Sequence, residues 1–194
     1  MSEHPPLPEL RDGFRFRGGH RALDLTATLA GRLKAASRDL LAVPEDLCRW
    51  LRAAGFEAEA IVASEADLAT ARRLREAVHA LADARIGGAA DPADARVALN
   101  AIAAGPAAAP QLDSHGALAW HGDSATLTAL VAREAVVLFG GPQASNIRRC
   151  EADGCAILFL DTSRSGDRRW CSMAACGNKA KVAEFRRRRR AAEQ

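Results

Sequence analysis

The sequence predicts a mainly α-helical fold with small β elements, in which a larger helical N-terminal domain precedes a small cysteine-rich module. Of the 194 residues, 44 are Ala and 24 are Arg, and both residue types rank high on the helix scale. Hydrophobic residues make up 48% and charged residues 26% of the chain, an ordinary globular mixture that excludes wholesale disorder. Four of the five cysteines lie within 27 residues near the C-terminus, which sets that module apart.

The first elements of the N-terminal domain are predicted from apolar spacing. Phe14 and Phe16 alternate with arginines, which predicts one strand. Residues 20–41 follow, and their spaced leucines predict one or two helices. The predicted apolar anchors of this segment are Leu23, Leu29, Leu33 and Leu40.

Four further helices have recognisable start signals. They are predicted to begin at Pro44, at Ser64 with Asp67 as its capping partner, at Asp91–Pro92 with Asp91 as the N-cap, and at Asp123 or Ser124. A small hairpin is predicted between residues 112 and 120, with its turn at 114–116. The last of these helices stops at a Gly-Gly-Pro sequence. We therefore expect the helical domain to span residues 1–141 and the cysteine module residues 142–194.

Charge is divided unevenly along the chain. Residues 146–194 carry a net charge of +6, whereas the preceding residues carry −3. A basic tail on a mildly acidic body is typical of nucleic-acid-binding proteins, although charge alone fits a solvated terminus equally well. No apolar run approaches the ~18–20 residues that span a bilayer, and the N-terminus lacks a basic-then-apolar leader. The sequence therefore predicts a cytoplasmic protein without a membrane partner.

The clustered cysteines form two Cys-x4-Cys pairs. Cys150 with Cys155 and Cys171 with Cys176 are separated by fifteen residues. In a reducing compartment such a pattern favours metal ligation over disulfides, and four thiolates suit one tetrahedral zinc ion. Four protein ligands leave no position for water or substrate, so the pattern predicts a structural Zn²⁺ and argues against hydrolytic zinc catalysis. The alternative is four cysteines without a metal.

A hairpin is predicted between the two pairs, and a basic helix after them. Residues 156–160 and 168–170 are the candidate strands, and the layout is that of a small treble-clef-like zinc finger. In the helix, Val182 and Phe185 share a face that we expect to pack against the zinc core. The candidate DNA contacts are Arg168, Arg169, Lys179, Lys181, Arg186, Arg188 and Arg190.

Two stretches resemble known families. Cys176-Gly177-Asn178-Lys179 and the stretch FLDTSRSGDRRWCSMAACGNKAKVAEFRRR resemble the CGNR zinc finger, whose zinc ligands fall on the four cysteines. Lys179 stands where that family has Arg, so the charge is kept but the bidentate fork is lost. Phe16, Gly18-Gly19, Leu23-Asp24-Leu25 and Leu74-Arg75-Glu76-Ala77 resemble the ABATE domain. Together these resemblances imply a bacterial transcription regulator linked to stress response.

Three functional hypotheses remain open at this point. The first is a DNA-binding regulator whose helical domain senses a small-molecule effector or forms a homodimer. The second is a zinc-stapled interaction module whose arginines meet an acidic partner. The third, an enzyme, rests only on Asp24 and scattered histidines, and for Asp24 a capping or surface role is favoured. Cys48 lies on an apolar helix stripe, which predicts a small core residue.

Overall fold

Six α-helices form most of the protein in the computed structural model, which describes residues 8–56 and 61–192. We call residues 8–141 the helical part and residues 142–192 the finger. The helices are α1 (Arg21–Thr26), α2 (Pro44–Ala53), α3 (Glu65–Gly87), α4 (Ala93–Ala103), α5 (Ser124–Gly140) and α6 (Asn178–Ala192). The prediction of a mainly helical fold with small β elements is confirmed. Within the described ranges, no helix combines the length and apolar character that crossing a bilayer requires.

All β-structure in the described residues consists of two-stranded antiparallel pairs. The pairs are β1 (Leu10–Arg11) with β2 (Phe14–Arg15), β3 (Leu29–Ala30) with β4 (Arg38–Asp39), β5 (Ala109–Leu112) with β6 (Leu118–His121), and β7 (Ile147–Arg149) with β8 (Leu158–Leu160). The third pair confirms the hairpin predicted around residues 114–116.

Most predicted helix starts are correct because their signals are local. Ser64 and Asp67 form a reciprocal capping box at α3, and the Asp123 carboxylate accepts a hydrogen bond from the Thr126 amide at α5. The predicted cap at Asp91 is wrong. Pro92 is the N-cap residue of α4 and provides no side-chain cap, because the Asp91 carboxylate turns to Arg85 at 3.2 Å.

The helix prediction for residues 20–41 holds only for α1. After α1 the chain turns into β3, reverses at Gly31, whose φ is 76°, and returns as β4. The Leu40 amide donates to the Thr28 carbonyl at 2.8 Å, so the backbone here is satisfied by strand pairing instead of helical bonds. Leu33 lies at the loop and is 59% exposed, so it is not a core anchor.

One hydrophobic core runs from the helical part into the finger. Trp50, Leu74 and Leu127 are completely or almost completely buried in it. Ile147 of β7 and Leu160 of β8 belong to the same cluster, and Cys48 is a buried member, as predicted. The finger hairpin is therefore packed against the helices. The predicted boundary at residues 141/142 lies between α5 and a short 3-10 helix (Pro142–Asn146), and remains a prediction.

The finger contains a hairpin, but its strands are not the predicted ones. β8 pairs with β7, with Ile147 opposite Leu160, so the hairpin encloses the first cysteine pair. On its other edge the Leu160 amide donates to the Gly18 carbonyl at 2.8 Å. Residues 168–170 form no strand, because both edges of β8 are already engaged.

Candidate metal centre and basic surface

The structure brings the four predicted zinc ligands together. All four Sγ atoms lie within 4.8 Å of one another. The Sγ–Sγ distances are 4.0 Å between Cys155 and Cys171, 3.7 Å between Cys171 and Cys176, and 3.8 Å between Cys176 and Cys155. In a regular tetrahedron with Zn–S bonds of about 2.3 Å, the sulfur atoms lie about 3.8 Å apart. The donor set and its spacing therefore fit one zinc ion.

A tight turn after β7 positions the first pair. Cys150 directly follows β7, and its amide donates to the Ile157 carbonyl at 3.0 Å. The Cys155 amide donates to the Ala152 carbonyl at 2.9 Å, and Gly154 adopts a φ of 67°, a conformation that favours glycine. The turn thus directs both thiols to the same point.

A capped helical turn positions the second pair. The Ser172 hydroxyl accepts a hydrogen bond from the Ala175 amide at 3.2 Å, and the Ser172 carbonyl accepts one from Cys176 at 3.0 Å. A π-helical turn (Met173–Gly177) follows and continues into α6. Cys176 is therefore fixed at the start of the basic helix, so metal binding also anchors that helix.

The thiols lie in an apolar shell, where an ionised thiolate without a nearby cation is unfavourable. Cys150, Cys171 and Cys176 are buried and cluster with Ala27, Ile157 and Phe159, with Trp170 packed against them. A hydrogen bond from Cys171 lowers the pKa of Cys155 to about 5, whereas burial and the neighbouring Cys155 thiolate raise the pKa of Cys176 to about 11. Sharing a hydrogen with Cys155 also raises the pKa of Cys171. Four ionised thiolates at this spacing need a cation between them.

The loop between the cysteine pairs is held by two charged residues. The buried Asp161 carboxylate accepts hydrogen bonds from the Ser163 amide at 2.9 Å and the Arg168 amide at 2.9 Å. The Arg168 guanidinium donates to the carbonyls of Trp170 and Cys171 and lies 4.8 Å from the Phe159 ring centroid. Arg168, a predicted DNA contact, therefore directs its donors into the finger.

The remaining predicted DNA contacts differ in their partners. Arg169 pairs with Glu151 at 2.6 Å, and Arg188 pairs with Glu184 at 2.8 Å. Within the described ranges, no ion pair or side-chain hydrogen bond is formed by Lys179, Lys181, Arg186 or Arg190, and all four are exposed. These four side chains form the part of α6 that is available to an external anion.

The apolar face predicted for α6 does not pack against the zinc core. Val182 is 49% and Phe185 67% exposed. The apolar α6 residues that line a cavity with Cys155 and Cys176 are Ala180 and Ala183, whereas Val182 and Phe185 are not members of the cysteine cluster. The expectation that they contact the core is wrong.

Two family models match the chain. The model of the ABATE family, described as "putative stress-induced transcription regulator", matches residues 19–142, which is more than half of the sequence. The chain belongs to the ABATE family. The model of the CGNR zinc finger matches residues 146–189 of this ABATE protein. Among curated proteins, no match was found.

The two matches agree with the geometry of the site. The CGNR match covers all four clustered cysteines, and the cofactor of this ABATE protein is accordingly one structural zinc ion. Neither family description names an enzymatic activity. The ABATE description is that of a regulator.

Sequence reasoning missed contributions that depend on the tertiary fold. Asp161 organises the loop, and the Asp-Thr-Ser sequence, typical of a side-chain-stabilised turn, could have indicated it. Arg15 and Lys34 of the helical part line the same cavities as Cys155. No local signal brings these two cations to the finger.

Proposed function

We propose that this ABATE protein is a transcription regulator that binds DNA through its finger and α6, and that it is not an enzyme. In this proposal Cys150, Cys155, Cys171 and Cys176 hold one zinc ion. The metal supplies a covalent-like crosslink that orders the loop and fixes the start of α6. Because all four positions are filled by thiolates, the centre is structural and offers no open site for substrate.

The observation that carries the proposal is the basic helix leaving the metal centre. α6 begins two residues after Cys176, and its exposed cations include Lys179, Lys181, Arg186 and Arg190. Cations without local carboxylate partners are free to replace the counterions of a phosphate backbone. Arg169 and Arg188 could join them only by leaving Glu151 and Glu184. Arg168 donates its hydrogen bonds to carbonyls within the finger.

Fluorescence anisotropy with a labelled DNA duplex tests this proposal. The affinity of the zinc-loaded protein should fall steeply with added salt. In Arg186→Ala/Arg190→Ala, the slope of log K against log[salt] should become shallower by about 2, because each lost phosphate contact removes about 0.9. The loss should be similar for unrelated DNA sequences, since these arginines meet phosphates.

The matched control is Arg73→Ala/Arg96→Ala. Both arginines are exposed on helices of the helical part, and removing them changes the net charge by the same amount. This control should keep the wild-type slope. No binding of the wild-type protein at low salt, or an equal loss in both double variants, would contradict DNA binding through α6.

A second candidate function is supported by the exposed apolar residues of α6. Val182 and Phe185 lie among the basic residues, a combination that suits an acidic protein partner with an apolar contact. In that case Phe185→Ala would abolish capture of the partner in nuclease-treated extract, whereas DNA affinity would depend on the arginines alone. Ligand sensing or homodimer formation by the helical part remains a prediction from the sequence.

A further inference from the structure

A basic groove lies where the helical part meets the finger. Two adjoining cavities of about 220 and 330 Å³ share Arg15, Lys34 and Cys155 in their lining. We call them together the composite groove. Among the described residues, its cationic lining residues are Arg15, Arg17, Lys34, Arg38 and Lys179, and its one acidic lining residue is Asp153.

Within the described residues, most of these cations have no carboxylate partner. The negative charge at the groove is that of Asp153 and of the zinc centre, where four thiolates exceed the charge of one Zn²⁺ by two and Cys155 and Cys176 line the groove. Arg17 pairs with Glu9 at 3.1 Å. Within the described part of the chain, the side chains of Arg15, Lys34 and Lys179 form no hydrogen bond or ion pair. Many other arginines of the helical part, such as Arg49, are bound to carboxylates. Unpaired cations that line one concave surface concentrate positive potential there.

Shared packing fixes the two sides of the composite groove. Ala27, at the end of α1, belongs to the same apolar cluster as the cysteines. Lys34 crosses the first cysteine turn, with its Cε 3.7 Å from the position that a Cβ on Gly154 would occupy. Only three lysines occur in the sequence, and two of them, Lys34 and Lys179, line this groove from opposite sides.

The chemistry of the lining selects a phosphate ligand. Guanidinium and ammonium groups both bind phosphate oxygens, and several separated cations suit a polyanion better than one small carboxylate. The groove is also continuous with α6, since Lys179, Ala180 and Ala183 form one of its walls. A phosphate backbone that follows α6 would therefore reach Arg15 and Lys34.

We propose that the composite groove binds backbone phosphates of DNA, so that Arg15 and Lys34 of the helical part share the interface with α6. This inference rests on the proposed function. It makes the helical part a direct participant in DNA binding, in addition to any sensing role.

The test is the double variant Arg15→Ala/Lys34→Ala, measured by anisotropy with the same duplex over a salt series. Its affinity at low salt should fall roughly tenfold or more, and the slope of log K against log[salt] should become shallower by about 2. Zinc content and the circular dichroism spectrum should stay at wild-type values. Arg73→Ala/Arg96→Ala is the control of equal charge change and should bind as the wild type does.

The possible failures are distinguishable. If the wild-type protein binds DNA and Arg15→Ala/Lys34→Ala has the same affinity and slope, the groove proposal is overturned and DNA binding through α6 stands. If the wild-type protein binds no DNA, both proposals fall. Titration with inorganic phosphate tests whether the groove binds a free phosphate anion instead of the DNA backbone. Phosphate binding that the double variant loses, with unchanged DNA affinity, would assign the groove to a free anion and overturn the proposal.

Discussion

Asp24 is a carboxyl group buried in the core-facing side of α1. It is 7% exposed, and its Oδ1 accepts a hydrogen bond from the Gly18 amide at 2.7 Å. Burial raises its pKa from 3.8 to about 7, although the amides of Gly18 and Arg17 and the charge of Arg11 oppose the shift. A surface role for Asp24 is therefore wrong, and the residue joins α1 to the segment that also meets β8.

The raised pKa makes Asp24 a source of pH-dependent stability. Because the folded state holds this proton more tightly than the unfolded chain, the stabilisation is complete below pH 3.8 and is lost as the pH rises through about 7. Asp24→Asn should remove this dependence. Between about pH 4 and 7 the wild-type free energy of unfolding should decline more steeply than that of the variant, by up to about 1.4 kcal/mol per pH unit.

Urea unfolding at several pH values measures both slopes. Asp94→Asn changes an exposed carboxyl group on α4 and should keep the wild-type slope. Parallel curves for the wild type and Asp24→Asn would show that the Asp24 proton is not taken up on folding.

At the scale of elements, a buried arginine joins the β3–β4 hairpin to α3. Arg75 is 4% exposed, and its guanidinium binds both Asp39 oxygens at 2.6 and 2.8 Å. It also donates to Glu76 at 2.8 Å. This network fixes β4 against α3 through Asp39. It is therefore part of the reason that residues 29–41 form a hairpin and not a helix.

Replacing Arg75 should destabilise the fold. Arg75→Ala leaves Asp39 without its main partner and creates a void between α3 and the β3–β4 hairpin. The free energy of unfolding should therefore fall by about 3 kcal/mol. This is the lower end for a broken buried pair, because Asp39 keeps 30% of its side-chain exposure. Arg73→Ala, at an exposed position two residues earlier in α3, should change the free energy of unfolding by less than about 0.5 kcal/mol. Equal denaturation midpoints for both variants would contradict this role.

Elements with local signals could be predicted, and elements set by distant partners could not. In the Ser64–Asp67 capping box and in each Cys-x4-Cys pair, the residues that interact are close together in the sequence. The leucines of residues 20–41 have helical spacing, but Gly31 and the pairing of Thr28 with Leu40 decide the local structure. Likewise β8 pairs with β7 and Gly18, and nothing near residue 158 in the sequence specifies either partner.

At the scale of the whole molecule, apolar packing joins the helical part and the finger in both directions. Ile147 and Leu160 contribute the finger hairpin to the main core. In the opposite direction, Ala27 of the helical part enters the cysteine cluster. The metal is therefore expected to control the cysteine loops and α6, while the hairpin is held by apolar burial in the helical part.

Zinc removal should separate these two sources of order. After chelation, residues 150–157 and 161–192 lose the ion that links their two cysteine pairs, so their amides should exchange hydrogen rapidly, because local folding and metal binding are coupled. The amides of α3 and α5 should stay protected, since the main core contains no metal ligand. The helical circular dichroism signal should fall by no more than the share of α6.

Hydrogen-exchange mass spectrometry before and after chelation, with metal analysis of the same samples, checks this outcome. One equivalent of added zinc should restore protection, and Cys48→Ala should respond as the wild type does because Cys48 lies in the core away from the cysteine cluster. Deprotection of α3 and α5 together with the finger would mean that the metal supports the entire fold. Less than half an equivalent of zinc in freshly purified, reduced protein would argue against the centre itself, since four closely spaced thiols in an apolar shell are stable as thiolates only around a cation.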